Sequence, residues 1–94
     1  MIRIRWTERA AEELEDAVDY IAKDNPAAAR KIPQNVRDAI RKLRDAPLIG
    51  RPGKVAGTRE LDITAAPLLV VYESGPHAIT IVSVWHTSRN RPHH

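Results

Sequence analysis

The sequence contains no cysteine among its 94 residues, so neither a disulfide framework nor a thiolate metal site can stabilise the fold. It also lacks an N-terminal apolar run as long as a signal peptide, and no stretch approaches the roughly 20 apolar residues that span a bilayer. Together these absences predict a single soluble domain over residues 1–94, in the reducing cytoplasm.

Several common enzyme motifs are also missing. The chain has no glycine-rich phosphate loop, no His-Glu-x-x-His helix and no Gly-x-Ser-x-Gly turn. Of the four imidazoles, no two stand at metal-ligand spacing within one element, and the His93-His94 pair resembles a remnant of an expression tag. We therefore expect no metal and no cofactor.

Charge is present but moderate. Fifteen Lys and Arg residues against twelve Asp and Glu residues give a net charge of +3, without a dense cationic block. No carboxylate follows Glu73, so residues 87–94 form a basic tail with Arg89 and Arg91. The tail either contacts something negatively charged or simply solvates the end of the chain.

Two helices follow a short first strand. Residues 2–6 alternate between apolar and arginine side chains, which predicts a strand with one solvated face. Thr7 is a good N-cap for a helix over residues 8–23, and Asn25-Pro26 is a start signal for a second helix that ends near Asp45. Pro33 lies inside this second helix at an expected cost of about 3 kcal/mol, and we expect a kink there. Because the apolar spacing continues in phase on both sides, the pattern predicts one bent helix.

Three strands are predicted in the second half of the chain, at residues 58–64, 68–73 and 78–85, after a turn-forming loop at residues 50–53. The order β-α-α-β-β-β predicts an α+β fold in which an αα-hairpin packs on one face of a small, mostly antiparallel sheet. Both faces of the 68–73 strand are apolar, so we expect a bare apolar surface that a partner chain covers; the alternative is cover from loop 45–57 or from the tail.

Four segments taken together resemble the ParE/RelE toxin superfamily of type II toxin–antitoxin systems. They are RWTERAAEELEDAVDYIAKDNPAAARK, GRPGKVAGTRELDI, LLVVYE and ITIVSVWHTSRNRP. The resemblance covers residues 3–92 and implies a toxin that a cognate antitoxin neutralises in a hetero-oligomeric complex.

The superfamily has two main activities. RelE-like members are ribosome-dependent mRNA endonucleases that carry lysines on the strand matching residues 58–64, and an arginine before the Leu-Val-Tyr of the next strand. Here Glu60 and Asp62 take the outward positions, and Leu69 stands where the arginine would be. Carboxylates there would repel RNA phosphates. The Gly-Thr-Arg-Glu-Leu stretch and the final Val-Trp-His resemble ParE-like toxins more closely, which implies inhibition of DNA gyrase by binding.

The resemblance also suggests site residues. Target binding is assigned to four side chains of the second half of the chain: Arg59, His86, Arg89 and Arg91. Binding of a ParD-like antitoxin is assigned to seven side chains of the helices and sheet: Leu14, Val18, Arg30, Arg37, Arg41, Leu69 and Val71. For single residues, the alternatives are an ion pair from Arg59 to Glu60 or Glu73 and a solvated helix face. For the function, they are a RelE-like nuclease that uses His86, Arg59 and Arg89, and an inert protein of this fold that binds an antitoxin but has lost toxicity.

Overall fold

The computed structural model describes residues 2–87, which form two helices and one five-stranded sheet. In chain order the elements are β1 (Arg3–Trp6), α1 (Glu8–Asp24), α2 (Pro26–Asp45), β2 (Arg51–Pro52), β3 (Arg59–Asp62), β4 (Leu68–Ser74) and β5 (Ala78–His86). The predicted α+β architecture, an αα-hairpin on a small, mostly antiparallel sheet, is confirmed. The sequence missed β2, because two residues, one of them a proline, give no strand pattern.

The strands lie in the order β1-β5-β4-β3-β2, so the first and last strands of the chain are neighbours. β1 runs parallel to β5, with Ile4 opposite Ile79, and the other neighbouring pairs are antiparallel. β1 reaches only as far as Ile81 of β5. A register shift between Val71 and Tyr72 of β4 falls beside this point, where β5 loses β1 as its neighbour.

The two helices begin where the sequence predicts. The Thr7 hydroxyl accepts a hydrogen bond from the Ala10 N–H at 3.0 Å, and so caps α1. Asn25 serves both helices: its N–H donates to the Ile21 carbonyl, and its side chain accepts from the Ala28 N–H. α2 continues through the exposed Pro33 without a break in its assignment. Neither helix is long and apolar enough to cross a lipid bilayer, within the described part of the chain.

The main core lies between the helices and one face of the sheet. From the helices it takes small and branched side chains such as Ala10, Ala17, Ile32 and Leu43. From the sheet it takes alternate residues, among them Leu68, Val70, Tyr72, Ile79 and Ile81. This alternation is the period-two pattern of strands that pack one face against helices.

The reverse face of the sheet carries a second, smaller cluster of Leu69, Val71 and Trp85, with Val82 at its side. Leu69 is 0% exposed and Trp85 is 4% exposed. The expectation of a bare apolar surface is therefore wrong for these residues. Trp85 lies directly opposite Leu69 in the register, and the large indole packs against this neighbour across the strands.

The connection between α2 and β3 is fixed by buried polar groups. The hydroxyl of the fully buried Tyr72 donates to the Pro47 carbonyl at 2.8 Å and accepts from the Gly50 N–H at 2.9 Å. The Arg59 guanidinium donates to the Gly50 carbonyl at 2.8 Å. These bonds hold the backbone of the loop while the side chains of Leu48 and Ile49 point into solvent.

Candidate functional site: a basic-rimmed groove beside β1

A groove of about 360 Å³ lies between β1 and the C-terminal half of α2. Its floor is apolar and its rim is cationic. The lining residues are Ile4, Trp6, Val36, Arg37, Ile40, Arg41 and Arg44. A concave apolar surface with convergent charged groups is the usual form of a protein's binding site.

The groove forms where the apolar face of β1 lies beside the apolar face of α2, and each face follows from a periodic pattern in the sequence. In β1, alternation turns Ile4 and Trp6 toward the helices, while Arg3 and Arg5 face the other way. In α2, Val36 and Ile40 are four residues apart and lie on one helical face. Because β1 and α2 meet only at this margin of the core, Ile4, Trp6 and Ile40 stay partly exposed and form the floor.

The cationic rim is partly ordered by neighbours on the same helix. Arg37 donates to the Gln34 side chain at 3.1 Å, and Gln34 donates to Asp38 at 2.9 Å. Asp38 also lies 3.6 Å from the Arg41 guanidinium. Asp38 therefore contacts one of the three rim guanidinium groups directly and a second through Gln34, and such exposed pairs contribute only about 0–1 kcal/mol each. The rim retains a net positive charge that an acidic ligand could neutralise.

A second carboxylate, that of Glu13, forms hydrogen bonds to the part of β5 that has no pairing with β1. Glu13 of α1 accepts hydrogen bonds from the Ser83 hydroxyl at 2.8 Å and from the Val84 N–H at 3.1 Å. The Thr7 hydroxyl donates to the Val82 carbonyl at 3.3 Å. α1 thus satisfies the strand edge with side chains instead of a neighbouring strand. The sequence gives no signal for this role of Glu13, because it depends on where β1 ends.

Two of the predicted target-binding residues have defined positions. Instead of the ion pair that the sequence left open, Arg59 donates to the main-chain carbonyl oxygens of Gly50 and, at 3.4 Å, Leu48. His86 is buried at the end of β5, where its ring lies edge-on to the Tyr20 ring with 4.9 Å between the two ring centroids. Arg89 and Arg91 lie outside the described residues. Target binding by these four residues stays a prediction.

The predicted antitoxin-binding residues fall in four places. Arg37 and Arg41 lie on the groove rim, whereas Arg30 is exposed on the first turns of α2, outside the groove lining. Leu14 and Val18 are half-buried on α1 and pack against the main core. Leu69 and Val71 are buried in the reverse-face cluster. Two of the seven residues therefore line the groove, and the antitoxin contacts stay a prediction.

Sequence reasoning missed the remaining five residues of the groove, namely Ile4, Trp6, Val36, Ile40 and Arg44. The alternation in residues 2–6 marked Ile4 and Trp6 as core-facing, but it could not show that β1 forms an edge of the sheet. An edge position was the missing information, because a strand in the centre would bury the same two side chains completely.

The outward positions of β3 are acidic, as the sequence predicts, and they are already paired. Glu60 is only 5% exposed, and the Arg51 guanidinium lies 3.5 Å from its carboxylate. The same guanidinium contacts the Asp62 carboxylate at 3.0 Å. Glu60 and Asp62 stand opposite Val71 and Leu69 in the register, on the reverse face. A ligand that approaches the strand would therefore meet the exposed Asp62 carboxylate, whereas Glu60 is covered.

Known proteins resemble the chain over nearly its whole length. Residues 4–91 match the family described as the ParE toxin of the type II toxin–antitoxin system parDE. The candidate toxin Y4kP of Sinorhizobium fredii (strain NBRC 101917 / NGR234) is 36% identical over 90 residues, which cover 96% of this chain and 93% of Y4kP.

Solved structures share the fold. A chain of the chromosomal ParDE TA system from P. aeruginosa superimposes with a TM-score of 0.79 at 25% identity, over 92% of this chain and 96% of that one. YafQ from E. coli strain BL21(DE3) superimposes with a TM-score of 0.63 at 9% identity, over 94% and 96% of the two chains.

Proposed function

Because the chain belongs to the ParE toxin family of type II toxin–antitoxin systems, we propose that an antitoxin neutralises it by binding in the groove beside β1. We propose further that the free toxin acts by binding DNA gyrase. The observation that carries the first proposal is the groove itself, in which an apolar floor lies beneath three arginines of α2.

The groove suits an acidic, amphipathic segment of a partner protein. Apolar side chains of such a segment would cover the exposed parts of Ile4, Trp6 and Ile40, and burial of apolar surface is the main source of affinity. Its carboxylates would pair with Arg37, Arg41 and Arg44, and complementary charge favours a rapid and selective encounter. The solved ParDE system of P. aeruginosa supports the expectation that the partner is an antitoxin.

The choice of gyrase over RNA is supported by the β3 carboxylates. A nuclease that cleaves RNA must stabilise the negative charge that develops on phosphate in the transition state. On the corresponding strand this chain carries Glu60 and Asp62, and the Arg51 guanidinium already contacts both carboxylates. Negative charge would be repelled at this surface.

The target is tested with two purified systems. We expect the toxin to inhibit supercoiling by gyrase and to leave mRNA intact in a translating extract, and the cognate antitoxin should reverse the inhibition. The paired substitution Arg89→Ala/Arg91→Ala should weaken gyrase inhibition but leave antitoxin binding unchanged. Cleavage of mRNA without any effect on gyrase would contradict the proposed target, and loss of both activities in the tail variant would point to misfolding.

A further inference from the structure

We propose that the α2–β3 loop, residues 46–58 with β2 in its middle, docks in an apolar pocket of the target protein, with Leu48 as its central anchor. This inference rests on the proposed function, because it assigns the surface through which the toxin would bind gyrase. It combines three observations: aliphatic side chains exposed in the loop, a backbone fixed by hydrogen bonds, and cations without carboxylates within the loop.

The loop carries most of the large apolar side chains that this fold exposes to water. Within residues 2–87 four large hydrophobic side chains are exposed, and three of them belong to the loop: Leu48 at 64%, Ile49 at 50% and Val55 at 50%. The fourth, Tyr20, lies on α1. None of the three lines the groove beside β1. A concentration of exposed apolar side chains is a usual mark of an interaction site.

A β-turn presents Leu48. The Ile49 N–H donates to the Ala46 carbonyl at 3.0 Å, so Pro47 and Leu48 take the two central positions of the turn. Proline suits the first central position because its ring fixes φ in advance. The hydroxyl of the buried Tyr72 donates to the Pro47 carbonyl at 2.8 Å. Leu48 therefore stands at the tip of a turn that a core residue holds in place.

A second β-turn presents Val55. The Thr58 N–H donates to the Val55 carbonyl at 3.1 Å, and the Thr58 hydroxyl donates to the same oxygen at 2.6 Å. Gly57 takes the third position of this turn with a φ of 85°, which residues with a side chain rarely adopt. Both turns are thus formed before a partner arrives, and this reduces the conformational entropy lost on binding.

The charges of the loop favour carboxylates at the rim of the partner's pocket. Residues 46–59 contain no Asp or Glu. Arg51 already contacts Glu60 and Asp62. Lys54 is exposed and has no carboxylate within 4.0 Å in the described part of the chain. A pocket with aliphatic walls and an acidic rim would match both the anchors and this ammonium group.

This chemistry suits a protein surface better than a nucleic acid. DNA is bound chiefly through its phosphates, by Lys and Arg side chains. The loop instead presents three aliphatic side chains beside Lys54, and burial of aliphatic surface is the main source of affinity between proteins. We therefore assign the loop to the protein part of the target.

The test compares gyrase binding by the full 94-residue chain and by loop variants, measured by biolayer interferometry with supercoiling inhibition alongside. We expect Leu48→Ser/Ile49→Ser to weaken binding about thirtyfold, because two apolar anchors become polar. The matched variant Leu48→Met/Ile49→Met keeps an apolar surface and should bind within about threefold of the parent. Both variants should melt within about 5 °C of the parent, since Tyr72 bonds to the backbone of the turn and not to its side chains.

A charge reversal tests the acidic rim. Lys54→Glu should weaken gyrase binding about tenfold, and higher salt should reduce this loss. Lys23→Glu makes the same change in charge at the end of α1, outside the loop, and should alter binding by less than about twofold. Equal losses in the two variants would show that only the overall charge matters, and would overturn the acidic rim.

The outcomes separate the loop from the proposed function. If the parent inhibits gyrase and the Ser variant inhibits it equally, the loop proposal is wrong and the proposed function stands. If the parent neither binds nor inhibits gyrase, the proposed target is wrong and the loop proposal falls with it.

Two further measurements exclude other occupants of the loop. The Ser variant should bind the cognate antitoxin as tightly as the parent does, and a parallel loss of antitoxin affinity would overturn the proposal. Sedimentation should show no self-association that depends on the loop. A parent dimer that the Ser variant dissociates would assign the loop to a second copy of the chain and not to the target.

Discussion

The two edges of the sheet differ in how their charges and backbone groups are satisfied. At the β2 edge, Arg51 contacts Glu60 and Asp62, and the loop before it is bonded to Tyr72 and Arg59. At the β1 edge, Arg3 and Arg5 have no carboxylate within 4.0 Å among residues 2–87, and the backbone groups of Ile4 and Trp6 face outward. One edge is completed by the chain itself, and the other is left for a partner.

This difference means that one edge of the sheet contributes mainly to stability and the other mainly to antitoxin binding. Interactions at the β2 edge should contribute to the free energy of unfolding and little to antitoxin affinity, because they are satisfied before any partner arrives. Charges at the β1 edge should contribute to affinity and little to stability, because exposed and unpaired charges stabilise a fold only weakly. Substitutions at the two edges should therefore have opposite patterns of effect.

The largest effect is expected from Gly50→Ala at the β2 edge. A Cβ atom at Gly50 would lie 2.7 Å from both the Glu60 carbonyl oxygen and the Tyr72 hydroxyl oxygen, so backbone or core must shift. We expect a loss of about 3 kcal/mol, or roughly 12–24 °C in Tm, measured by thermal unfolding. Antitoxin affinity should be unchanged at temperatures where the variant is folded.

The control for this prediction is Gly75→Ala, where the new Cβ would meet only the Ala78 carbonyl oxygen, at 3.3 Å. Its cost should stay below about 1 kcal/mol. Similar losses at the two positions would mean that the α2–β3 loop can relax, and that the bonds from Tyr72 and Arg59 do not fix it.

A smaller effect is expected from Arg37→Glu/Arg41→Glu at the groove rim. The substitutions replace attraction to an acidic partner by repulsion and should cost about 2 kcal/mol of binding, or thirtyfold in Kd for the antitoxin. Higher salt should reduce the difference between variant and parent. The unfolding free energy should change by less than about 0.5 kcal/mol, since both side chains are exposed.

Arg30→Glu provides the matched control on the same helix. Arg30 is exposed but does not line the groove, so its reversal should change the antitoxin Kd by less than about threefold. A loss as large as that of the rim variant would show that the antitoxin responds to the overall charge of α2 and not to the groove.

The smallest effect is expected from Glu13→Gln. Glu13 bonds to Ser83 and Val84 of β5, beyond the point where β1 ends. The amide oxygen can still accept from the Val84 N–H, but the charge that strengthens both bonds is lost. We expect a loss of about 1 kcal/mol in chemical unfolding, against no measurable change for the exposed Glu12→Gln. An equal loss in the two variants would show that the hydrogen bonds from Glu13 do not stabilise this edge of β5.

Local sequence signals were sufficient for most of the fold. The N-caps at Thr7 and Asn25 and the alternation in residues 2–6 each depend on neighbours a few residues away, and each is confirmed. β2 was missed because its two residues pair with Arg59 and Glu60, seven or more residues later. A strand of this length has no periodicity of its own to detect.

The site was less predictable, because it depends on which strands become neighbours. The helical face of Arg37 and Arg41 could be read from spacing, but the groove also requires β1, about thirty residues earlier, to lie beside α2 at the edge of the sheet. The same limitation explains the reverse face: alternation placed apolar residues on both faces of residues 68–73, but it could not show that Trp85 lies opposite Leu69. Long-range pairing, and not local propensity, determined both outcomes.

The shared use of Asn25 by the two helices restricts how this domain can vary. Because Asn25 is both the C-cap of α1 and the N-cap of α2, no linker residues separate the two helices. Inserting or deleting a single residue there would turn α2 by about 100° about its axis, which would carry the arginine rim away from β1 and bring core side chains into water. Natural variants of this toxin should thus conserve the length of this junction even where its sequence changes.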